Sequence, residues 1–257
     1  ARHNNALYLN RALYSRIADL YDRRDVLSLD AEQARVLERY HTRFVRAGAA
    51  LERPAQDRLA AINERLASLG TQFGQNVLAD EKSFTMVLEE GDLDGLPEFA
   101  RAAARAAADE RGHPGKYVIT LARSSIETFL QFASRRDLRE KAFQAWIARG
   151  ENGGTTDNRA PIGEMVALRA ERAQLLGFAN FADYRLDDQM AKTPQAARQL
   201  LDEVWGRALT KAAVERDALQ AMIAEEGGNF ALAPHDWRYY TEKLRKARYD
   251  LDEAEIK

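Results

Sequence analysis

The sequence predicts a mainly α protein, an elongated multi-helix body with one small β insertion. Apolar residues recur at helical spacing over stretches bounded by capping residues. Two short segments, Ser83 to Leu88 (SFTMVL) and Tyr117 to Leu121 (YVITL), are instead rich in β-branched and aromatic residues and bounded by turn formers. Between Pro194 and about Glu226 the helical pattern runs unbroken, a rod on the order of 50 Å long.

Leu9, Leu13, Ile17 and Leu20 mark the first helix, and Asp30 with Gln33 three residues on has the form of a capping box for a second that stops near Gly48. The opening therefore reads as a helical hairpin. Pro54 starts a third helix with the apolar stripe Leu59, Ile62, Leu66, Leu69, Phe73 and Val77. SFTMVL and YVITL are expected to pair as a small sheet. Pro97 opens an alanine-rich helix closed by Gly112, and alanine buries so little area that this helix is expected to be peripheral and thinly packed.

Ser134, with Asp137 three residues later, reads as the cap of a helix whose Leu138, Ala142, Ala145 and Trp146 share a face. Glu151 to Thr156 (ENGGTT) reads as a flexible loop, Asp157 as the cap of a long helix ending at Gly177, and Asn180 as the start of a short one. Thr193-Pro194 begins the long rod, Gly227-Gly228 ends it, and Asp236 caps a final aromatic helix, DWRYYTEKLRKARYDLDEAEIK. The expected division is residues 1–80 as hairpin plus long helix, 81–125 as β insertion with the alanine-rich helix, and 126–257 as a long-helix region. The chain opens on Ala1 rather than methionine, and Lys257 follows Ile256 with no terminating signal. This reads as part of a longer polypeptide.

Composition narrows the classes. With 46% hydrophobic and 30% charged residues the chain has the profile of a water-facing globular protein. Lys plus Arg number 38 against 40 Asp plus Glu, interleaved rather than blocked, which lacks the basic footprint of a nucleic-acid binder. No cysteine occurs, so disulfides, thiolate chemistry and Cys-ligated zinc are excluded within these residues. No apolar run approaches the roughly 20 residues needed to span a bilayer, and the expected location is cytoplasmic.

The residues that could carry chemistry are scattered. His3, His41, His113 and His235 include no pair at the spacing of a zinc-binding helix, so each reads as structural or surface. His235 stands beside Asp236 at a helix entry. Gly153-Gly154 lacks both the lysine and the preceding strand of a phosphate-binding loop and reads as a hinge or rim. Trp237, Tyr239 and Tyr240 read as core anchors rather than a ligand surface. Arg169 and Arg172 reach either a carboxylate ligand or an acidic neighbour. The residues alone therefore nominate no catalytic, cofactor-binding or metal-binding side chain.

Eight segments in order resemble one family. They are FVRAGAAL from Phe44, LASLGTQFGQNVLADE from Leu66, DLDGLPE from Asp92, GKYVITL from Gly115 and RRDLREKAFQAWIARGENGG from Arg135, followed by TDNRAPIGEMVALRAERAQLLGFANFADYRL from Thr156, DQMAKTP from Asp188 and the terminal DWRYYTEKLRKARYDLDEAEIK. Together they resemble the thimet oligopeptidase family of zinc metallopeptidases, and most closely its bacterial peptidyl-dipeptidase branch. Related oligopeptidase A-like endopeptidases share much of the pattern.

The resemblance implies a two-lobed helical body split by a deep channel. It also implies a zinc site on a His-Glu-x-x-His helix with a further downstream glutamate, neither of which occurs in this chain. Zinc would thus be bound outside these residues, in a catalytic domain to which 126–257 leads. The implied role is the non-catalytic lobe and channel wall of a peptidyl-dipeptidase that removes C-terminal dipeptides from short peptides, excluding folded proteins. The alternatives are part of an oligopeptidase A-like zinc endopeptidase, or a helical scaffold or interaction module without activity. The chain by itself is expected to bind no zinc and cleave no peptide.

Overall fold

The computed structural model describes residues 2–249. In chain order the elements are α1 (Arg2–Tyr8), α2 (Arg11–Asp22), α3 (Ala31–Ala47), α4 (Arg53–Ser83), β1 (Met86–Leu88), α5 (Glu98–Glu110), β2 (Tyr117–Ile119), α6 (Arg123–Phe132), α7 (Arg136–Ile147), α8 (Arg159–Leu175), α9 (Phe181–Leu186), α10 (Pro194–Glu225) and α11 (Trp237–Tyr249). The mainly α class with one small sheet is the one the sequence predicts. The predicted continuation of the last helix from Asp250 to Lys257 lies outside the described residues. The chain forms two compact units, Ala1–Gly74 with Arg159–Leu200, and Gln75–Asn158 with Leu201–Lys257.

In the first unit the predicted hairpin, α2 with α3, is preceded by a separate short helix, α1. The Asn10 side chain accepts the Leu13 N–H at 3.0 Å, which starts a fresh helix and divides the apolar series that begins at Leu9. The Asp30/Gln33 capping box forms as predicted, with both reciprocal hydrogen bonds present. Helix α3 ends on Gly48 at φ +97°, where a Cβ would stand 2.3 Å from Leu59 Cδ2. Only glycine fits that left-handed, crowded position. Phe44, Ala49, Leu59, Ile62, Leu69, Ala173 and Tyr184 are among the unit's buried apolar residues, while Phe73 of the predicted stripe remains 38% exposed. Between α4 and α8 the bonding is ionic. Arg58 grips Glu171 at 2.6 and 2.7 Å, and Arg65, two turns further on, grips Glu164 at 2.5 and 2.6 Å. The positions advance along α4 and retreat along α8, the register of antiparallel helices.

In the second unit β1 and β2 pair antiparallel, with Met86 opposite Ile119 and Leu88 opposite Tyr117. Around them Leu93, Leu96, Ile126, Phe129, Leu130 and Ala142 complete one buried cluster. The alanine-rich helix corrects its expectation. Ala100, Ala104 and Ala108 of α5 are buried against the sheet and its neighbours, because a methyl-only face lets a helix backbone approach closely. Gly95, at φ +81°, has the Phe132 carbonyl 2.3 Å from where a Cβ would be. Helix α7 starts after Arg135 with no side-chain cap, so Ser134 does not cap it; its carbonyl instead accepts from Arg139 at 3.2 Å. Leu219, Ile223 and Tyr240 form a second buried cluster, packed by Phe230, Leu232 and Trp237.

Candidate functional site

The most buried charge lies in the second unit, where Asp236 is wholly buried beside Arg139 at 1% exposure. Asp236 closes a 3-10 turn, Pro234–Asp236, immediately before α11. Its Oδ2 accepts the Ala233 N–H at 3.1 Å and Arg136 Nη2 at 2.9 Å, while Oδ1 accepts Arg139 Nη2 at 2.9 Å. Arg136 and Arg139, three residues apart on α7, present adjacent guanidinium groups to one carboxylate. Each is also stacked, Arg139 at 4.0 Å over Tyr239 and Arg136 at 4.2 Å over Phe230.

Burial alone raises the Asp236 carboxyl, but the hydrogen bonds from Arg136, the Ala233 N–H and Arg139, with His235 beside it, outweigh burial and hold it below its ordinary value. Buried and held by three protein donors, this carboxylate serves as a junction between α7 and the turn that opens α11. The expected helix cap is thus an ion-pair centre. His235 is 4% exposed, with Nε2 3.6 Å from Asp236 Oδ1.

A second carboxylate organises the glycine loop. Asp80, near the end of α4, accepts the Gly150 N–H at 2.7 Å, Asn152 Nδ2 at 2.9 Å and Thr156 Oγ1 at 2.7 Å. Burial raises its carboxyl and these three donors more than compensate, leaving it below the ordinary range. The stretch expected to be a flexible hinge is instead wrapped around an anion, with Gly154–Thr156 as a 3-10 turn. Nothing in the local pattern pairs Asp80 with a loop some 70 positions away, which is why sequence reasoning missed it.

The other nominated residues disperse. His41 stacks on Tyr21 with centroids 3.9 Å apart, and burial first, then Arg24, lowers its pKa against the pull of Asp22. Tyr240 is buried, and Trp237 and Tyr239 pack on the same cluster, in the core role expected of them. Among the described residues no group of three His, Asp or Glu side chains could hold a metal ion. Arg169 lies 5.4 Å over the Phe181 ring. Arg172 donates to the Tyr184 hydroxyl at 2.9 Å and lines a cavity of about 730 Å³ in the first unit. A second cavity, about 420 Å³ and mostly apolar, is lined in the second unit by Phe99, Ala103, Ile119 and Phe129.

The sequence pattern of Peptidase family M3 matches residues 129–257. The chain is 39% identical over 254 residues to the dipeptidyl carboxypeptidase of Escherichia coli strain K12, covering 98% of this chain and 37% of that protein. It is 35% identical over 255 residues to the dipeptidyl carboxypeptidase of Salmonella typhimurium strain LT2, covering 99% of the chain and 38% of the relative. Against Escherichia coli oligopeptidase A the identity is 33% over 253 residues, 96% of the chain and 37% of the relative. The chain therefore spans little more than a third of the length of these relatives. With the family pattern running through its second half and such relatives aligned along nearly its whole length, the chain belongs to peptidase family M3.

Proposed function

We propose that this chain is the non-catalytic lobe and channel wall of a zinc-dependent peptidyl-dipeptidase that removes C-terminal dipeptides from short peptides. The observation that carries the reading is the 39% identity to a dipeptidyl carboxypeptidase along 98% of the chain. The described residues do not fit a zinc ion, since they bring together no set of three possible ligands. The reading accordingly assigns zinc to the part of the longer protein that this chain does not span, with residues 126–257 leading toward it.

The chain's own contribution is steric: capped helices and tightly held loops that admit an unfolded short peptide and exclude a folded one. A surface of α10 supports a larger assembly. Leu201, Val204, Trp205 and Leu209 recur at helical spacing and are each more than half exposed. In this reading the rest of the same polypeptide covers that face, because the relatives are far longer than the chain. A cytoplasmic location belongs to the same proposal; no described helix is long and apolar enough to cross a membrane.

The oligopeptidase A relatives favour a second reading, a zinc endopeptidase with internal cleavage. Product analysis separates the two. The full-length protein with zinc is expected to release successive dipeptides from the free C-terminus of a short peptide and to be blocked by C-terminal amidation. Internal cuts unaffected by amidation would favour the endopeptidase. Stoichiometric zinc or peptide cleavage by the 257-residue chain itself would overturn the non-catalytic assignment.

A further inference from the structure

The cavity in the first unit is strongly cationic in a protein that is not. Of its lining residues Arg39, Arg43, Arg46, Arg172 and Arg185 are basic, and Asp188 alone is acidic. The chain as a whole carries a formal net charge of only −2. Five guanidinium groups gathered around one space of about 730 Å³ repel one another unless an anion offsets them.

Two of the five are already paired. Arg39 donates to Asp188, and Arg46 donates to Asp187 at 2.6 Å and to the Tyr184 carbonyl. Asp188 is held below its ordinary pKa chiefly by the Arg39 hydrogen bond, with Arg46 and Lys192 adding to it. Arg43, Arg172 and Arg185 have no carboxylate within ion-pair distance among the described residues.

Arg43, Arg46 and Arg172 are nonetheless held by aromatic rings. Arg43 lies 4.5 Å over the Tyr8 ring, and Arg172 and Arg46 lie 5.2 and 4.7 Å from the Tyr184 ring centre. Tyr184 is itself buried, accepts from Arg172, and donates to the Arg46 carbonyl at 3.4 Å. Stacking engages the faces of a guanidinium and leaves its in-plane N–H edges, which suit the two oxygens of a carboxylate or phosphate. Arg172 Nε is such an edge, buried without a hydrogen-bond partner.

We propose that this cavity is an oxyanion-binding site, taking a ligand whose carboxylate or phosphate oxygens are received by Arg43, Arg172 and Arg185. The aromatic stacking preorganises Arg43 and Arg172, Arg185 adds a third cation to the lining, and the Asp187 and Asp188 pairs fix Arg46 and Arg39 as its wall. The proposal rests on these residues alone and stands whether or not the peptidase reading holds.

The test is isothermal titration calorimetry of the 257-residue chain with inorganic phosphate and, separately, with glutarate, at ionic strength fixed with sodium chloride. Saturable one-site binding of at least one probe is expected. Phosphate alone would point to a phosphate ester as ligand, and glutarate alone to a carboxylate such as an acidic peptide. The double variant Arg43→Gln/Arg185→Gln, at two exposed side chains, should weaken binding at least tenfold with an unchanged circular dichroism spectrum. Arg172→Lys keeps the charge but loses the planar fork and should also weaken it. Arg207→Gln/Arg216→Gln on exposed α10 should leave it unchanged. No saturable binding of either probe, or equal weakening by the α10 pair, would overturn the site.

Discussion

The region formed by residues 1–74 with 159–200 and the region formed by 75–158 with 201–249 use different forces for the same purpose. In the first, the links between sequence-distant helices include half-exposed ion pairs such as Arg58 with Glu171, Arg65 with Glu164 and Arg39 with Asp188. In the second, a sheet and three helices share one apolar cluster, and the buried Arg139–Asp236 pair is sealed from water, with the partly exposed Arg136 covering it. Exposed pairs give orientation with little free energy, because water and salt compete for the charges. Sealed ones resist disruption, because breaking them strands a charge in a poor dielectric.

The sharpest way to break this contrast is Phe129→Ala, which hollows the second region's cluster. It should cost about 3–5 kcal/mol, read as a lowered denaturation midpoint, with lost hydrogen-exchange protection confined to 75–158 and 201–249. Equal loss of protection in the first region would show that the two are not independently cohesive.

Asp236→Asn keeps the shape and removes the charge, leaving Arg139 buried without its anion. A cost of about 3 kcal/mol or more is expected from denaturant titration. The same group sets an acid limit. Folding lowers the carboxyl pKa of both Asp236 and Asp80, so the unfolded chain binds more protons in acid. Their contribution is complete above the ordinary value of about 3.9 and fades as the pH falls through the lowered values. In Asp236→Asn the acid-induced decline should be shallower than in the unaltered protein, and an identical profile would remove Asp236 from the account.

A smaller effect is expected from Asp80→Ala, which leaves the buried Gly150 N–H without its acceptor and frees the 150–156 loop. The cost should be about 1–3 kcal/mol, with faster proteolysis at Glu151 to Thr156 as its signature. Smallest of all, Arg58→Gln with Arg65→Gln should shift the midpoint little at low salt. The shift should vanish near 1 M salt, where the screening length is only about 3 Å. A large, salt-independent loss would mean that the first region depends on these pairs as the second does on its core.

Local chemistry was legible in the sequence wherever a residue acts on its own neighbours. The Asp30/Gln33 box, the Asn180 cap accepting the Asp183 N–H, and Thr193 accepting the Ala196 N–H before α10 each depend on residues within a few positions. The pairing of SFTMVL with YVITL was legible as well, since β-branched residues in short runs suit little else. The family could be read from ordered segments of sequence, and the comparisons with known proteins support it.

Residue identity and spacing thus determined the helical class, most helix ends, the small sheet and the family. Only the tertiary structure decided which charges meet. Asp236 finds Arg136 and Arg139 about a hundred positions away, Asp80 closes the 150–156 loop, five arginines converge on one cavity, and the alanines of α5 become core. The physical reason is range. Capping and periodicity act over one or two turns of chain and leave a mark in the local pattern. Ion pairs and burial depend on distances in space, which the order of residues sets only once the chain has folded.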